Sequence, residues 1–243
     1  MSLRTQIIQK LVHINESIFF YPKLRQFYRK NLDGKTINVI DVGANKGQSI
    51  DFFLGINSNA KIDAFEPNKK LFDRLAKKYT HGNIQLHNFG VSNTKGELEF
   101  HENILDETST FENLNLDSKY LEKKAKVLGV AKENIIVDSY KVQVIKLSDF
   151  LKGREKVFFD ALKIDVEGHE LQVLQGLFES NVPLSIRFIQ LESHNDDMYV
   201  SNQKHGEIEA LLDTNGFKKV ASIKHGFGDF AEIIFENTKY HET

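Results

Sequence analysis

The chain has no cysteine. That excludes a disulfide scaffold, a thiolate zinc site and a cysteine nucleophile, and it fits a reducing compartment. No apolar run approaches the ~20 residues that a helix needs to cross a bilayer. Met1 to Lys10 carries charged and polar residues where a secretory signal would need an apolar stretch, so a cytoplasmic protein with no transmembrane segment is expected. Surplus positive charge is missing too. Thirty-two Lys and Arg against 34 Asp and Glu leave a formal charge of -2. With no basic stripe interleaved with aromatics, nucleic acid is not an expected partner. Tryptophan is absent, and there is no internal repeat or low-complexity tract. What remains is ordinary globular composition: 243 residues, 40% hydrophobic and 27% charged. That suits one large α/β domain able to bury its own core. A homo-oligomer is compatible with these numbers and not demanded by them.

Residues 1–35 read as a helical cap. Ile7, Ile8, Leu11, Val12 and Ile14 lie close to one face, and Ile18, Phe19, Leu24 and Phe27 continue the pattern after a break at Pro22. Core packing is the expected use of that face. A membrane-surface helix is the alternative, because Phe19, Phe20 and Tyr21 sit near Lys23 and Arg25. From residue 36 to 243 strands and helices alternate. Ile37–Val42, Lys61–Phe65, Ile84–Phe89, Phe158–Ile164 and Leu184–Leu191 read as strands. Gln48–Leu54, Lys69–Tyr79, Glu170–Phe178 and Gly206–Asn215 read as helices. Leu98–His101 and Val142–Leu147 are additional strands, and Lys218–Ile223 with Ala231–Glu236 resembles a hairpin around His225-Gly226-Phe227-Gly228-Asp229. The pattern predicts an α/β fold with a mainly parallel sheet, helices on both faces and an antiparallel C-terminal edge. Glu102 to Val137 interrupts the rhythm as a polar, lysine-rich insertion with one helix at Tyr120–Leu128. It is expected to act as a lid.

In open sheets of this kind ligands sit beyond the carboxyl ends of the strands. The first strand ends in Asp41-Val42-Gly43-Ala44-Asn45-Lys46-Gly47. Gly43 and Gly47 let the backbone turn tightly and approach a ligand, and the next helix aims its free N–H groups at the same place. Alone, the turn suits NAD, a phosphate, S-adenosylmethionine or no ligand at all. A dinucleotide fingerprint needs G-x-G-x-x-G, yet Asn45 and Gln48 hold its second and third glycine places. A P-loop needs wider glycine spacing and a Lys-Ser or Lys-Thr. The remaining D-x-G-x-N-x-G suits a ligand without phosphate but with a charged amino-acid end. Glu66, before Pro67 and Asn68, closes the second strand at the ~20-residue spacing of a ribose-binding carboxylate. Asn88 and Gly90, after the third strand, stand where an adenine edge would lie, or simply form a turn. Asp165, Glu167 and His169 follow the fourth core strand, and Glu192 and His194 end the fifth. Each alone could be a solvated residue or a cap; together they place a polar cluster with two histidines on one rim.

Val39 to Gly47, Phe65-Glu66-Pro67-Asn68, Val144 to Leu151 and Leu162-Lys163-Ile164-Asp165-Val166-Glu167-Gly168-His169-Glu170-Leu171 resemble the FkbM-type methyltransferases, and Thr108-Ser109-Thr110-Phe111 is similar to the family's small hydroxyl motif. The resemblance covers roughly Thr36 to Ser193. It departs at His169, where a small residue is more usual, and at Ser148, where Asp is usual. It implies a class I methyltransferase fold, S-adenosylmethionine as cofactor and a hydroxyl acceptor on a sugar or a polyketide. It assigns Asp41, Gly43, Asn45, Gly47 and Glu66 to the cofactor, and Asp165, Glu167 and Ser109 to the active site.

Methyl transfer to an alcohol calls for positioning and for a proton acceptor. His194 is the expected base, with His169 and Asp165 as alternatives and Glu192 in the same catalytic group. A divalent metal on Asp165, Glu192 and His194 is possible but not favoured, since no compact ligand motif demands one. The expected function is O-methylation of a sugar hydroxyl in a glycan or glycoconjugate. A polyketide or other small-metabolite acceptor is the nearer alternative, and an NAD-linked oxidoreductase or epimerase the more distant one.

Overall fold

The computed structural model describes residues 15–32, 36–105, 108–154, 157–179, 185–194, 197–200, 205–226 and 230–239. The apolar positions Ile7, Ile8, Leu11, Val12 and Ile14 lie outside the described residues. Helix α1 (Tyr21–Asn31) starts with proline in its first turn, where the missing N–H costs nothing. It buries Leu24 and Tyr28, and Phe20 just before it is also buried, while Ile18 and Phe19 are exposed. The aromatic cluster that suggested a membrane face is therefore divided, with Phe20 serving the core. Among the described residues no helix is long and apolar enough to cross a membrane.

The main sheet comprises β1 (Asn38–Val42), β2 (Lys61–Phe65), β3 (Ile84–His87), β7 (Phe159–Ile164), β8 (Ile186–His194), β9 (Phe217–Lys224) and β10 (Phe230–Asn237). Their order is β3-β2-β1-β7-β8-β10-β9. The first five are parallel to one another, and β10 and β9 complete the sheet antiparallel as the expected hairpin. The chain reverses direction across the sheet between β1 and β7, which is the switch point where such folds open a crevice.

Successive side chains of a strand leave on opposite faces, and here both faces are buried. Ile40, Val42, Leu162, Ile164, Ile189 and Leu191 pack with Val173, Leu174 and Leu177 of α6 (Glu170–Phe178) on one side. Val39, Ile62, Ala161, Phe188 and Ile234 pack on the other with α1 and with Ile50 and Phe53 of α2 (Gln48–Ile56). On this second face the core turns polar towards the strand ends. Asp41 lies in register with Lys163, and Lys163 with Gln190. The Tyr28 hydroxyl donates to Gln190 Oε1 at 2.6 Å.

The insertion is more structured than its composition predicts. Strands β5 (Gly96–Asn103) and β6 (Ile136–Ile145) pair antiparallel from Gly96–Val144 to Asn103–Ile136, and with β4 (Gly90–Val91) they form a separate three-stranded sheet. The two strand ends thus claim both margins of the polar stretch. What connects them carries α4 (Lys119–Leu128), between α3 (Lys69–Lys78) and α5 (Leu147–Leu151) in chain order. Ser118 caps α4, accepting from the Leu121 N–H at 2.9 Å, and Gly129 ends it in the left-handed region. Leu121, Ala125, Leu128 and Ile135 form a small second core with Met198 and Tyr199. The remaining helix, α7 (His205–Thr214), covers the sheet between β8 and β9.

Candidate active site

A cavity of about 890 Å³ runs along the carboxyl ends of β1, β2, β7 and β8, within the range of small-molecule sites. Gly43, Asn45, Glu66, Pro67 and Gly90 line one end. Asp165, Glu167, Ser109, Glu192, His225 and Glu232 line the other.

The glycine turn is built for internal packing. Gly43 has φ +89° and Gly47 φ +86°, both left-handed. A Cβ on Gly43 would stand 1.9 Å from the Asp165 carbonyl oxygen, and one on Gly47 2.3 Å from the Tyr79 hydroxyl. The end of β7 and the end of α3 therefore close on these glycines where a side chain would stand, and packing alone requires glycine at both. Gly90 likewise makes room for the Phe111 ring. Asn45, between the two glycines of the turn, is left-handed at φ 48°. Its N–H donates to Glu66 Oε2 at 2.7 Å, while Glu66 Oε1 accepts from the Asn68 N–H at 2.8 Å. Glu66 thereby ties the turn after β1 to the turn after β2.

Three candidates stand behind the wall of the cavity. Asn88 turns its amide into the chain, donating to the Glu66 and Pro67 carbonyls at 2.8 and 3.1 Å; it fixes that loop and does not face a base. Gly47 caps α2 one layer back. Asp41 is fully buried, with neither carboxylate oxygen hydrogen-bonded. Burial pushes its pKa up to about 6 against the pull of Lys163, and the charge of Asp165 adds to the rise.

At the other end Lys163 Nζ donates to Asp165 Oδ2 at 2.8 Å. Burial opposes the charge on Lys163, but Asp165, Asp41 and Glu232 outweigh it and hold the ammonium firmly protonated. Glu167 adopts φ 54°, rare for a residue with a side chain. Its backbone oxygen accepts from Thr110 Oγ1 at 2.7 Å and its Oε2 from the Tyr199 hydroxyl at 3.0 Å. The insertion and residues 197–200 thus grip the loop after β7. Ser109 accepts from the Asn103 N–H at 3.0 Å. Glu192 lies directly across from Glu232 on β10. Burial first, then Glu192 and Asp165, raise the Glu232 pKa despite Lys163 and His225. His225, after β9, stacks on Phe20 with ring centroids 4.0 Å apart. Burial lowers its pKa, but the hydrogen bond to Glu16 and the charges of Glu192 and Glu232 leave it raised.

His169 is not part of this rim. Its Nδ1 meets Glu112 Oε1 at 2.6 Å and its Nε2 meets Ser92 Oγ at 2.9 Å. The order Ser, His, carboxylate imitates a hydrolytic triad, but Ser92 has no exposed surface and His169 only 5%. The network pins the insertion to the start of α6, so the expectation of a catalytic His169 is corrected. His194 ends β8, and its side chain lies outside the described residues. The sequence reading passed over Lys163, His225 and Glu232. Lys163 stands between Leu162 and Ile164, and Glu232 between Ala231 and Ile233, and a charge inside such an apolar stretch is the signal that a partner waits inside.

With this geometry in view, residues 41–219 match the methyltransferase FkbM domain. The chain belongs to the FkbM methyltransferase family. It is 25% identical over 252 residues to the 31-O-demethyl-FK506 methyltransferase FkbM of Streptomyces tacrolimicus, covering 96% of this chain and 91% of that protein. It is 27% identical over 156 residues to the hexuronic acid methyltransferase AglP of Haloferax volcanii, spanning 63% of this chain and about half (54%) of that protein. Among solved structures, TrmK of M. capricolum with S-adenosyl-homocysteine superposes with a TM-score of 0.44 at 11% identity, over 90% of this chain and 69% of that one.

The protein is an S-adenosylmethionine-dependent methyltransferase with an α/β fold. The donor set suits that cofactor. Glu66 lines the cavity with a carboxylate, the group type that binds a ribose diol, the first turn of α2 offers N–H groups to a carboxylate, and the acidic far end offers a sulfonium and an ammonium the negative surroundings they need.

Proposed function

We propose that this enzyme methylates a hydroxyl, and that the acceptor is a sugar in a glycan or glycoconjugate. The observation that carries the reading is the lining of the far end of the cavity. Asp165, Glu167, Glu192 and Glu232 converge there, and such a wall receives a polyhydroxyl acceptor better than an apolar one, because each hydroxyl donates to a carboxylate. The relative named for 31-O-demethyl-FK506 supports an oxygen acceptor, and the one named for a hexuronic acid supports a sugar.

Gly43, Asn45, Glu66, Pro67 and Gly90 hold the cofactor, with Glu66 on the ribose. Asp41 and Gly47 support that end from behind. S-adenosylmethionine supplies an electrophilic methyl group on a sulfonium. Asp165 is the proton acceptor for the attacking hydroxyl, and Lys163 positions it through the 2.8 Å contact. Glu192 and Glu167 orient the sugar, and Ser109 adds a hydroxyl to the same wall. The insertion serves as the lid over this end, held closed by the Thr110 and Tyr199 contacts to Glu167. A general base contributes about 10²–10⁴-fold, and positioning of the two reactants about 7–11 kcal/mol.

The test is release of S-adenosylhomocysteine against a panel of uronic-acid glycosides, neutral glycosides and a macrolide alcohol. Turnover is expected with a glycoside, and Asp165→Asn should lower kcat by about 10²–10⁴ with KM little changed. Glu66→Ala should raise the cofactor Kd measured by calorimetry. Turnover confined to amine acceptors, or an Asp165→Asn enzyme at the wild-type rate, rules the reading out.

A further inference from the structure

We propose that Glu192, His225 and Glu232 form a binding site for one divalent transition-metal ion at the acceptor end of the cavity. This deepens the hydroxyl-methylation reading and rests on it for the role of the ion, though not for its binding.

The three side chains come from three strands or strand ends. Glu192 and Glu232 are partners in the β8–β10 register, and His225 follows β9 in the same hairpin. Each offers one ligand atom, and all three atoms lie within 4.8 Å of one another. His225 Nε2 stands 3.8 Å from Glu192 Oε1 and 4.0 Å from Glu232 Oε1. Those separations are too long for hydrogen bonds. They are a few tenths of an ångström wider than the roughly 3.4 Å between tetrahedral ligands about 2.1 Å from a metal, so small side-chain rotations would close them on an ion.

Two further observations point into the same gap. Glu232 is only 4% exposed, and its Oε2 has no hydrogen-bond partner. Like charges placed directly opposite on paired strands are destabilising, so this pair asks for a cation. His225 Nε2 also has no hydrogen-bond partner, while Nδ1 contacts Glu16 Oε1 at 3.3 Å. An ionised carboxylate only accepts, so Nδ1 carries the proton of that contact. In the neutral ring the lone pair is then on Nε2, facing the two glutamates. A carboxylate that fixes the far nitrogen of a histidine is the usual support for a metal ligand. The Phe20 ring, stacked at 4.0 Å, fixes the plane of the imidazole.

One imidazole and two carboxylates suit Mn²⁺, Fe²⁺ or Zn²⁺ better than Mg²⁺ or Ca²⁺, whose ligands are oxygens. Glu192 also belongs to a second trio with Asp165 and Glu167, so the ion would stand beside the base proposed above. There it draws electron density from the acceptor oxygen, and the hydroxyl proton passes to Asp165. The ligand histidine is thus on the C-terminal hairpin, whereas the sequence reading had considered His194 with Asp165 and Glu192.

The experiment is a titration of chelator-treated full-length protein with Mn²⁺, followed by the electron paramagnetic resonance of free ion, with no substrate present. One ion per chain is expected. His225→Ala and Glu232→Gln should abolish binding, and Glu16→Gln should weaken it by about 10- to 100-fold. Circular dichroism of each variant shows whether it has folded, and Glu16→Gln leaves all three ligands in place, so it serves if the others unfold. Absence of stoichiometric Mn²⁺ binding by the wild type overturns the proposal, as does unchanged affinity in folded His225→Ala and Glu16→Gln. Ion binding without methylation of any hydroxyl leaves this site standing and removes only the proposed acceptor. Methylation without ion binding does the reverse.

Discussion

Asp41→Asn tests the electrostatics at the switch point. The Asp41 carboxyl has no exposed surface and no close hydrogen bond, only a weak pull from Ser49, and its pKa is raised from 3.8 to about 6. The native state therefore holds this proton more tightly than the unfolded chain. At pH values below the unfolded pKa both states are protonated and nothing is lost. As pH rises through the window from about 4 to about 6, the unfolded chain releases its proton first, and stability falls. Above it both are ionised, and the full cost remains. A shift of about 2 units at ~1.4 kcal/mol each makes that cost about 3 kcal/mol, against a total stability of about 5–15 kcal/mol for a domain. Asparagine is nearly isosteric and does not titrate. Lys163 keeps its 2.8 Å contact with Asp165 and stays charged throughout, so its attraction to ionised Asp41 is already contained in the net shift. The assay is urea unfolding of both proteins from about pH 4 to about pH 7. Glu232 is present in both, and its titration largely cancels in the difference. The stability of the variant relative to wild type should rise by about 3 kcal/mol across that window. A difference that stays flat refutes the reasoning and means that water or an unseen partner solvates Asp41.

Gly43→Ala forces a methyl to within 1.9 Å of the Asp165 carbonyl at φ +89°. A loss of at least about 1–3 kcal/mol in chemical denaturation is expected from the strain alone, and an unchanged midpoint would show that β1 and β7 can separate freely. His169→Ala breaks the Ser92–His169–Glu112 network and should cost about 1–3 kcal/mol. Its kcat at saturating substrate should stay within a few-fold of wild type, and a loss as large as that of a general base would return His169 to the chemistry.

The alternation of strands and helices was legible because both faces of the sheet are covered. Strands such as Ile37–Val42 then read as apolar runs interrupted only at Asn38 and Asp41, and Gly or Asn marks the ends of β1 and β3. Helix α6 was readable end to end, since Leu171, Val173, Leu174 and Leu177 occupy its buried positions. Strand β6 was read only in its last third. Asp138, Ser139 and Lys141 lie on an exposed strand, and polar residues on such a strand carry no hydrophobic period to detect. The turns after β1 and β2 were legible for the same local reason: Gly43, Asn45 and Glu66 follow those strands in the expected order and line the cavity. The acceptor end was not. His225 reaches Glu192 only because β10 and β9 are added beyond β8, a long-range pairing with no local signature. Sequence adjacency therefore favoured His194 and His169, and the fold turns His169 to a buried structural contact.

This division also explains why the glycine turn is a poor guide to its own ligand. Gly43 and Gly47 are required by the Asp165 carbonyl and the Tyr79 ring, so a glycine at either place would be needed whatever the cavity held. Chemical choice lies in residues that the packing does not explain. Asp41 and Glu232 are such residues: buried carboxylates with oxygens that no hydrogen bond satisfies. They share one face of the sheet with Lys163, whose direct contact is to Asp165. A fold selected for stability alone would place apolar side chains at both positions, as it does at Val39 and Ile234 on the same strands. Negative charge that Lys163 only partly offsets is thus concentrated where the protein must receive a sulfonium, an ammonium and, on the proposal above, a metal ion. Binding each of them offsets a cost that the empty enzyme already carries.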